Sequence, residues 1–205
     1  MFTPRTNGPA KIIMNSVIGG SMGGIVAVFV KPRVLGTYSF VNRYDTVALC
    51  SGILVGLVAI TGCCDRVEPW AAMIIGGIGA LFYIAGCKIL DKLHVDDPVE
   101  AVQVHMFGGI WGTLATGLFD NTTGLFYGQA GSGKYFGYQC LGIVCVMAWV
   151  GIMSSLIFYT LKRLGLFRVD KAIELIGLDI AEMGGLSEEI YEKVRAQQAL
   201  NLNKS

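Results

Sequence analysis

Charged residues are scarce in this chain of 205 residues: Asp, Glu, Lys and Arg together make up only 15% of it. A soluble domain carries about 25% of these residues. Hydrophobic residues account for 53% of the chain, and the mean hydropathy is +0.57. The composition therefore indicates a membrane protein. The formal net charge is +1, so nothing in the charge balance points to a nucleic-acid partner.

The chain also has few of the residues that enzymes and metal sites use in sets. It contains two histidines, and the long apolar stretches hold just one of them, with no matched pair of carboxylates. General acid–base catalysis needs such groups placed together, so an enzyme such as an intramembrane hydrolase is not expected. No CxxC spacing occurs around Cys63 and Cys64. We therefore expect no metal and no cofactor.

Two further patterns argue against a nucleotide site and against disulfides. The stretch GQAGSGK, residues 128–134, matches a phosphate loop, but Tyr135 follows where Ser or Thr is needed for magnesium. Nucleotide binding is therefore not expected. Most of the cysteines lie within apolar runs, where buried free thiols are expected in place of disulfides; these are Cys50, Cys87, Cys140 and Cys145.

Long apolar runs are what the chain has in abundance. A helix of about 20 residues crosses a hydrocarbon core of about 30 Å, and five segments approach that length: 8–30, 44–62, 67–90, 99–119 and 135–161. They must be helical because lipid cannot satisfy an open backbone. The sequence thus predicts an all-α, polytopic membrane helix bundle over residues 1–164. The polar remainder, 165–205, is predicted to be a cytoplasmic tail.

Basic residues alternate between the connections of these spans. The first, third and fifth connections are the richer ones, with Lys31, Arg33 and Arg43, then Lys88 and Lys92, then Lys162, Arg163 and Arg168. Cytoplasmic loops carry the excess of Lys and Arg. We therefore expect the C-terminus in the cytoplasm and the N-terminus outside.

Glycines recur at intervals of four residues within the spans. Gly19 and Gly20 are followed by Gly23 and Gly24, and the same interval separates Gly52 from Gly56 and Gly108 from Gly112. Small residues at this spacing let helix backbones approach closely in a membrane. We expect these glycines to pack the helices together and to have no separate activity.

The fourth span contains one histidine, His105. Asp97 can cap this helix and Pro98 suits its first position, which places His105 about 11–12 Å along it, near the middle of the bilayer. A polar side chain at that depth is costly unless it is satisfied, and it marks a candidate functional site. It is either a structural hydrogen-bonding group or a neutral imidazole that passes a polar solute along a pathway. Both interpretations predict a ring that faces the interior of the bundle.

The residues around His105 carry a resemblance to a known family. The stretch HVDDPVEAVQVHMFGGIWGTLATGLF, residues 94–119, resembles the signature of the ammonium transporter family. Residues 49–76 resemble the family's paired glycine-rich helix and the span after it, and GLDIAEMGG, residues 177–185, resembles its tail motif. The pieces occur in the family's order and cover nearly all of the chain.

The resemblance implies a trimer in the plasma membrane, with eleven spans and one pore in each subunit. Each pore is built from two inverted halves, and one histidine from each half is thought to take part in relaying the substrate's proton. His105 matches the second of these histidines. Asp97 matches an acid that supports the helix start, and Ala101 matches a pore-lining position on the cytoplasmic side. Gly177 and Asp179 match a regulatory tail motif that docks on a neighbouring subunit.

The chain departs from the family in one large respect. Its five spans match the seventh to the eleventh, and the first six have no counterpart, nor has the first pore histidine. We therefore expect the second half of an inverted-repeat transporter, which is incomplete as a pore when alone. The expected substrate is ammonium or ammonia, with methylammonium as an analogue. The expected partners are the lipid bilayer and either further copies in a homotrimer or a separate N-terminal half. The alternative is a non-conducting interaction or regulatory subunit of an ammonium transporter trimer.

Overall fold

The computed structural model describes residues 8–37, 44–169 and 174, and all regular elements in this part of the chain are helices. In chain order they are α1 (Gly8–Val34), α2 (Thr46–Thr61), α3 (Pro69–Leu93), a π-helical segment (Val102–Phe107), α4 (Gly108–Phe119), a 3₁₀ turn (Leu125–Tyr127) and α5 (Ser132–Arg163). The π segment runs directly into α4. The predicted all-α fold of a membrane helix bundle is confirmed.

Three of the described helices are long and apolar enough to cross a membrane, namely α1, α3 and α5 with 27, 25 and 32 residues. The apolar helix α2 is shorter, with 16 residues. The chain divides into two units between residues 146 and 147, inside α5. The first unit holds α1 to α4 and the candidate site. The number of crossings, their orientation and the domain boundary at residue 164 stay predictions.

Helices α1, α2 and α3 meet at three glycines. A Cβ on Gly56 would lie 2.3 Å from the carbonyl oxygen of Gly19, and one on Gly76 would lie 2.1 Å from the same oxygen. Neither position can accept a side chain unless the backbone moves. Close backbone contact also joins α2 to α4, where a Cβ on Gly112 would lie 2.7 Å from the carbonyl oxygen of Ala59. The predicted packing role of the glycines is confirmed.

Apolar side chains fill the space between α2, α3 and α4. Ile60 and Ile75 are almost completely buried. Trp111 stacks on Phe82 with ring centroids 5.3 Å apart, and its Nε1 donates to the carbonyl oxygen of Ile75 at 2.9 Å. The indole N–H is thereby satisfied inside the bundle, so packing accounts for Trp111.

The helix of the fourth predicted span begins later than the sequence predicts. Pro98 lies in a turn, and the helix starts at Ala101. A carboxylate oxygen of Asp97 nevertheless caps it by accepting the N–H of Val102 at 2.8 Å. His105 is therefore about 6 Å from the helix start, and the predicted depth of about 11–12 Å along the helix is wrong.

The six cysteines are all free thiols, as predicted. Their burial differs from expectation: among the four in apolar runs Cys87 is buried and Cys140 is half-buried, whereas Cys50 and Cys145 are exposed. A thiol is a small apolar group, so it can lie on a lipid-facing helix surface without burial inside the protein.

Candidate functional site

The π segment has a buried and an exposed side, and His105 lies on the exposed one. Gln103 and Val104 are buried, whereas Val102, His105 and Met106 are exposed. The segment packs on α2 and α3, and Val104 lies in one buried apolar cluster with Val55 and Tyr83 of these helices. The prediction that His105 faces the interior of this bundle is therefore wrong. Single π turns are uncommon in proteins, and those that occur are often at functional sites.

A groove of about 400 Å³ lies beside α4, in the turns that follow the π segment. Gly109 and Thr113 line it and are four residues apart, so both lie on one side of α4. The other lining residues are Val58, Gly62, Arg66, Thr116, Tyr135 and Gln139. A Cβ at Gly109 would have nothing within 4 Å, so the groove is open one turn beyond the imidazole.

Two threonine hydroxyls supply hydrogen-bond acceptors to this groove. Thr113 donates to the carbonyl oxygen of Gly109 at 2.8 Å, and Thr116 donates to that of Gly112 at 2.9 Å. Each hydroxyl proton is already donated to a carbonyl oxygen of the same helix. The threonine oxygens therefore offer a solute only their lone pairs, as hydrogen-bond acceptors. The groove can therefore accept hydrogen bonds from a small N–H donor.

The residues before the π segment hold its first turn. With its amide nitrogen facing the acceptors, Gln103 donates to Asp97 Oδ2 at 2.6 Å and to the carbonyl oxygen of Glu100 at 3.3 Å. Ala101 is exposed at the helix start, and its pore-lining role stays a prediction. The tail residues Gly177 and Asp179 lie outside the described residues.

A buried polar cluster that the sequence did not predict surrounds Glu100. Its carboxylate accepts hydrogen bonds from Lys31, from the Tyr83 hydroxyl and from Ser51 Oγ, the last at 2.9 Å. Lys31 also donates to the Tyr83 hydroxyl at 2.6 Å. These partners come from α1, α3 and α2, and all three are buried. The sequence separations of 69, 17 and 49 residues explain why no local pattern revealed the cluster.

A second polar cluster joins the loops at the other end of α2, α3 and α4. Asp120 is fully buried and accepts the side-chain and backbone donors of Thr122, the N–H of Thr123 and Arg66 Nη1 at 3.3 Å. Burial alone would raise the pKa of the Asp120 carboxyl, but these hydrogen bonds lower it below its usual value. The Asn121 amide meanwhile donates to Glu68 Oε1 at 2.6 Å.

Replacing Asp120 by Asn should destabilise the bundle by about 1–3 kcal/mol at pH 7, because buried donors lose a charged acceptor. Asp120 has a lowered folded-state pKa, so its stabilisation is present above the unfolded pKa of about 3.9 and is lost as the pH falls through the folded value. The difference between parent and variant should therefore shrink as the pH falls below about 3.9. Denaturant unfolding in detergent, carried out at pH 7 and over this acidic range, measures it.

The exposed residue Asp96 provides the control for this prediction. Asp96→Asn removes the same charge from the surface and should change the unfolding free energy by no more than about 0.5 kcal/mol. An Asp120→Asn penalty that is equally large at low pH would show that the ionised carboxylate is not what stabilises the loops.

These observations define a class of protein: an all-helical membrane bundle with an exposed histidine and, in the following turns of the same helix, a polar groove. The model of the Ammonium Transporter Family matches residues 2–187. The chain belongs to this family.

Similarity to individual proteins agrees with the family match. The chain is 30% identical over 216 residues to "Ammonium transporter 1 member 1" of Arabidopsis thaliana, covering 98% of this chain and 42% of that protein. It is 36% identical over 165 residues to "Ammonium transporter 3" of Dictyostelium discoideum, covering 74% and 38%. The chain thus spans about two-fifths of the length of these relatives.

Solved structures show the same fold. The crystal structure of Saccharomyces cerevisiae Mep2 superposes with a TM-score of 0.66 at 25% identity, over 75% of this chain and 38% of that one. A structure titled "Sensor Amt Protein" superposes with a TM-score of 0.70 at 32% identity, over 84% and 42%. The helix arrangement described above is therefore that of Amt and Mep proteins.

Proposed function

We propose that this chain is the C-terminal portion of an ammonium transporter, comprising its last five spans and cytoplasmic tail, and that it moves ammonium or ammonia across the plasma membrane once its pore is completed. Family membership supports the substrate class, with methylammonium as the expected analogue. Transport, not catalysis, is the proposed activity. The proposed orientation places the C-terminus in the cytoplasm and the N-terminus outside.

The observation that carries this proposal is His105, which is exposed on an apolar helix whose following turns line the polar groove. An imidazole within an apolar helix is costly against lipid, so this face needs a polar or protein covering. In the proposed complete transporter the first half supplies that cover and closes the groove into a pore. The relatives are long enough to contain such a half, since this chain matches only about two-fifths of each.

The groove residues have complementary roles in the proposed pathway. A neutral imidazole offers one hydrogen-bond donor and one acceptor. His105 can therefore accept a hydrogen bond from a passing N–H group and donate one in return. Thr113 and Thr116 offer acceptors beyond it. Asp97 supports the start of the helix, and Ala101 lines the cytoplasmic side.

The tail and the assembly complete the proposal. Gly177 and Asp179 are proposed to dock the tail on a neighbouring subunit of a homotrimer. A second candidate function is a non-conducting sensor or regulatory subunit, and the likeness to a protein titled "Sensor Amt Protein" favours it. In that case the trimer contacts and the tail operate without conduction.

A chimaera tests transport. In the chimaera, this chain replaces the portion of the Arabidopsis relative that it matches. The chimaera is expressed in yeast that lack ammonium uptake. We expect growth on low ammonium from the chimaera and none from the 205-residue chain alone, because one half builds half of a pore. Uptake of labelled methylammonium measures the same difference.

Immunodetection at the cell surface must show equal amounts of both proteins. Growth with the short chain alone would contradict the proposed incompleteness. A chimaera that reaches the surface as a trimer but takes up no methylammonium would favour the regulatory alternative.

A further inference from the structure

Glu100 occupies a backbone conformation that a glutamate rarely adopts. Its φ of 56° lies in the left-handed region. This conformation is energetically unfavourable for a residue that has a Cβ, so surrounding contacts must stabilise it. Glycine is the residue that normally takes such a position. The presence of a glutamate therefore points to a use for its side chain.

That side chain joins three helices. Lys31 of α1, Ser51 of α2 and Tyr83 of α3 all donate to its carboxylate. Tyr83 is fully buried, and Lys31 and Ser51 are 6% and 7% exposed. The acceptor oxygens thus have partners on three sides, so the backbone of residue 100 is held against all three helices at once.

The backbone of Glu100 passes this constraint to the histidine segment. Its carbonyl oxygen accepts the N–H of Val104 at 3.0 Å, which closes the first turn before His105. Gln103, in the orientation described above, donates to the same oxygen. The side chain of Glu100 therefore contacts α1, α2 and α3, while its carbonyl oxygen bonds to the turn that carries His105.

We propose that Glu100 is a positioning residue for His105: its carboxylate fixes the first turn of the π segment on α1, α2 and α3, and so sets where the imidazole stands relative to the groove. The consequence for transport rests on the proposed function. That Glu100 fixes the first turn of the π segment is independent of the proposed function, and it can be tested on the chain without any substrate.

Glycine at position 100 is the informative substitution. Glu100→Gly removes the carboxylate and keeps the left-handed φ at no steric cost, so it tests the side chain apart from backbone strain. Hydrogen exchange read by mass spectrometry on the purified chain should rise about tenfold in residues 101–107. Exchange in 8–30 and 110–119 should stay within about twofold of the parent.

Matched controls and a partial variant complete the experiment. Asp91 and Lys88 are exposed on α3, so Asp91→Asn and Lys88→Met should leave every segment unchanged. Glu100→Gln keeps an acceptor for Ser51 and Tyr83 but lacks the charge that Lys31 pairs with, and should give an intermediate rise. Lys31→Met should raise exchange in the same segment as Glu100→Gly does.

Two results would overturn the proposal. In the first, residues 101–107 exchange as in the parent when Glu100 is glycine. In the second, all helices exchange faster to the same extent, which marks Glu100 as a general stabiliser. In the chimaera, Glu100→Gly should lower the maximal methylammonium uptake about tenfold with little change in KM. If Glu100→Gly raises exchange in residues 101–107 but the chimaera with this substitution takes up methylammonium normally, the proposed effect of Glu100 on transport is wrong. A parent chimaera that takes up no methylammonium counts only against the proposed function.

Discussion

Methylammonium uptake by the chimaera should fall about a hundredfold or more when His105 is replaced by Ala, the loss typical of removing a positioned proton-transfer group. A methyl group cannot donate or accept a hydrogen bond for a passing polar solute. The His105 side chain is exposed on this chain, so its removal leaves no cavity among the helices of the bundle. Surface expression should therefore be unchanged.

The chain offers a matched control, because its second histidine, His94, is exposed at the C-terminus of α3. Its φ is 55°, and asparagine tolerates this left-handed conformation. His94→Asn should therefore transport like the parent. His105→Glu is the complementary variant: an acid can hold the cation itself, so we expect altered ion selectivity or a raised current. If His105→Ala and His105→Glu both transport and discriminate like the parent, His105 has no role in the pathway.

The second large effect is expected at the contact between α1 and α3. Gly76→Ala places a methyl group where a Cβ would lie 2.1 Å from the carbonyl oxygen of Gly19. A backbone atom cannot rotate away as a side chain can, so the helices must separate. We expect destabilisation of about 3 kcal/mol or more, read from denaturant unfolding in detergent micelles.

The adjacent glycine provides the comparison for Gly76. A Cβ on Gly77 would meet its nearest atom, Met22 Cγ, at an ordinary 3.6 Å. Gly77→Ala should therefore be neutral or stabilise the helix by up to about 1 kcal/mol. Equal stability of the Gly76→Ala and Gly77→Ala variants would show that α1 and α3 do not depend on close backbone contact.

Features written in short stretches of sequence were predictable. Apolar runs indicated the helices, the four-residue spacing of Gly19, Gly23, Gly52 and Gly56 indicated where backbones approach, and Asp97 was recognised as a cap. Each rests on neighbours within one or two helical turns. The resemblance around residues 94–119 then led to the family, which composition alone could not identify.

Features that depend on distant partners or on helix register were not predictable. The role of Glu100 depends on Lys31, Ser51 and Tyr83, which reach it only because α1, α2 and α3 pack together. His105 is exposed on a π turn, and the hydrophobic pattern of the sequence does not show this turn. A regular α-helix starting at Pro98 was the simplest expectation, and it gave His105 the wrong depth.

The π segment also affects how length changes can be tolerated in this helix. One residue added to a regular α-helix turns everything beyond it by about 100°, whereas a π turn absorbs the added residue locally and leaves both flanks in register. Val102–Phe107 is therefore the stretch where a single-residue insertion or deletion can be accommodated by exchanging π for α geometry. Such a change within α4 would instead rotate Thr113 away from the groove. A helical wheel drawn straight through the turn that carries the histidine therefore assigns the wrong face to one of its two flanks.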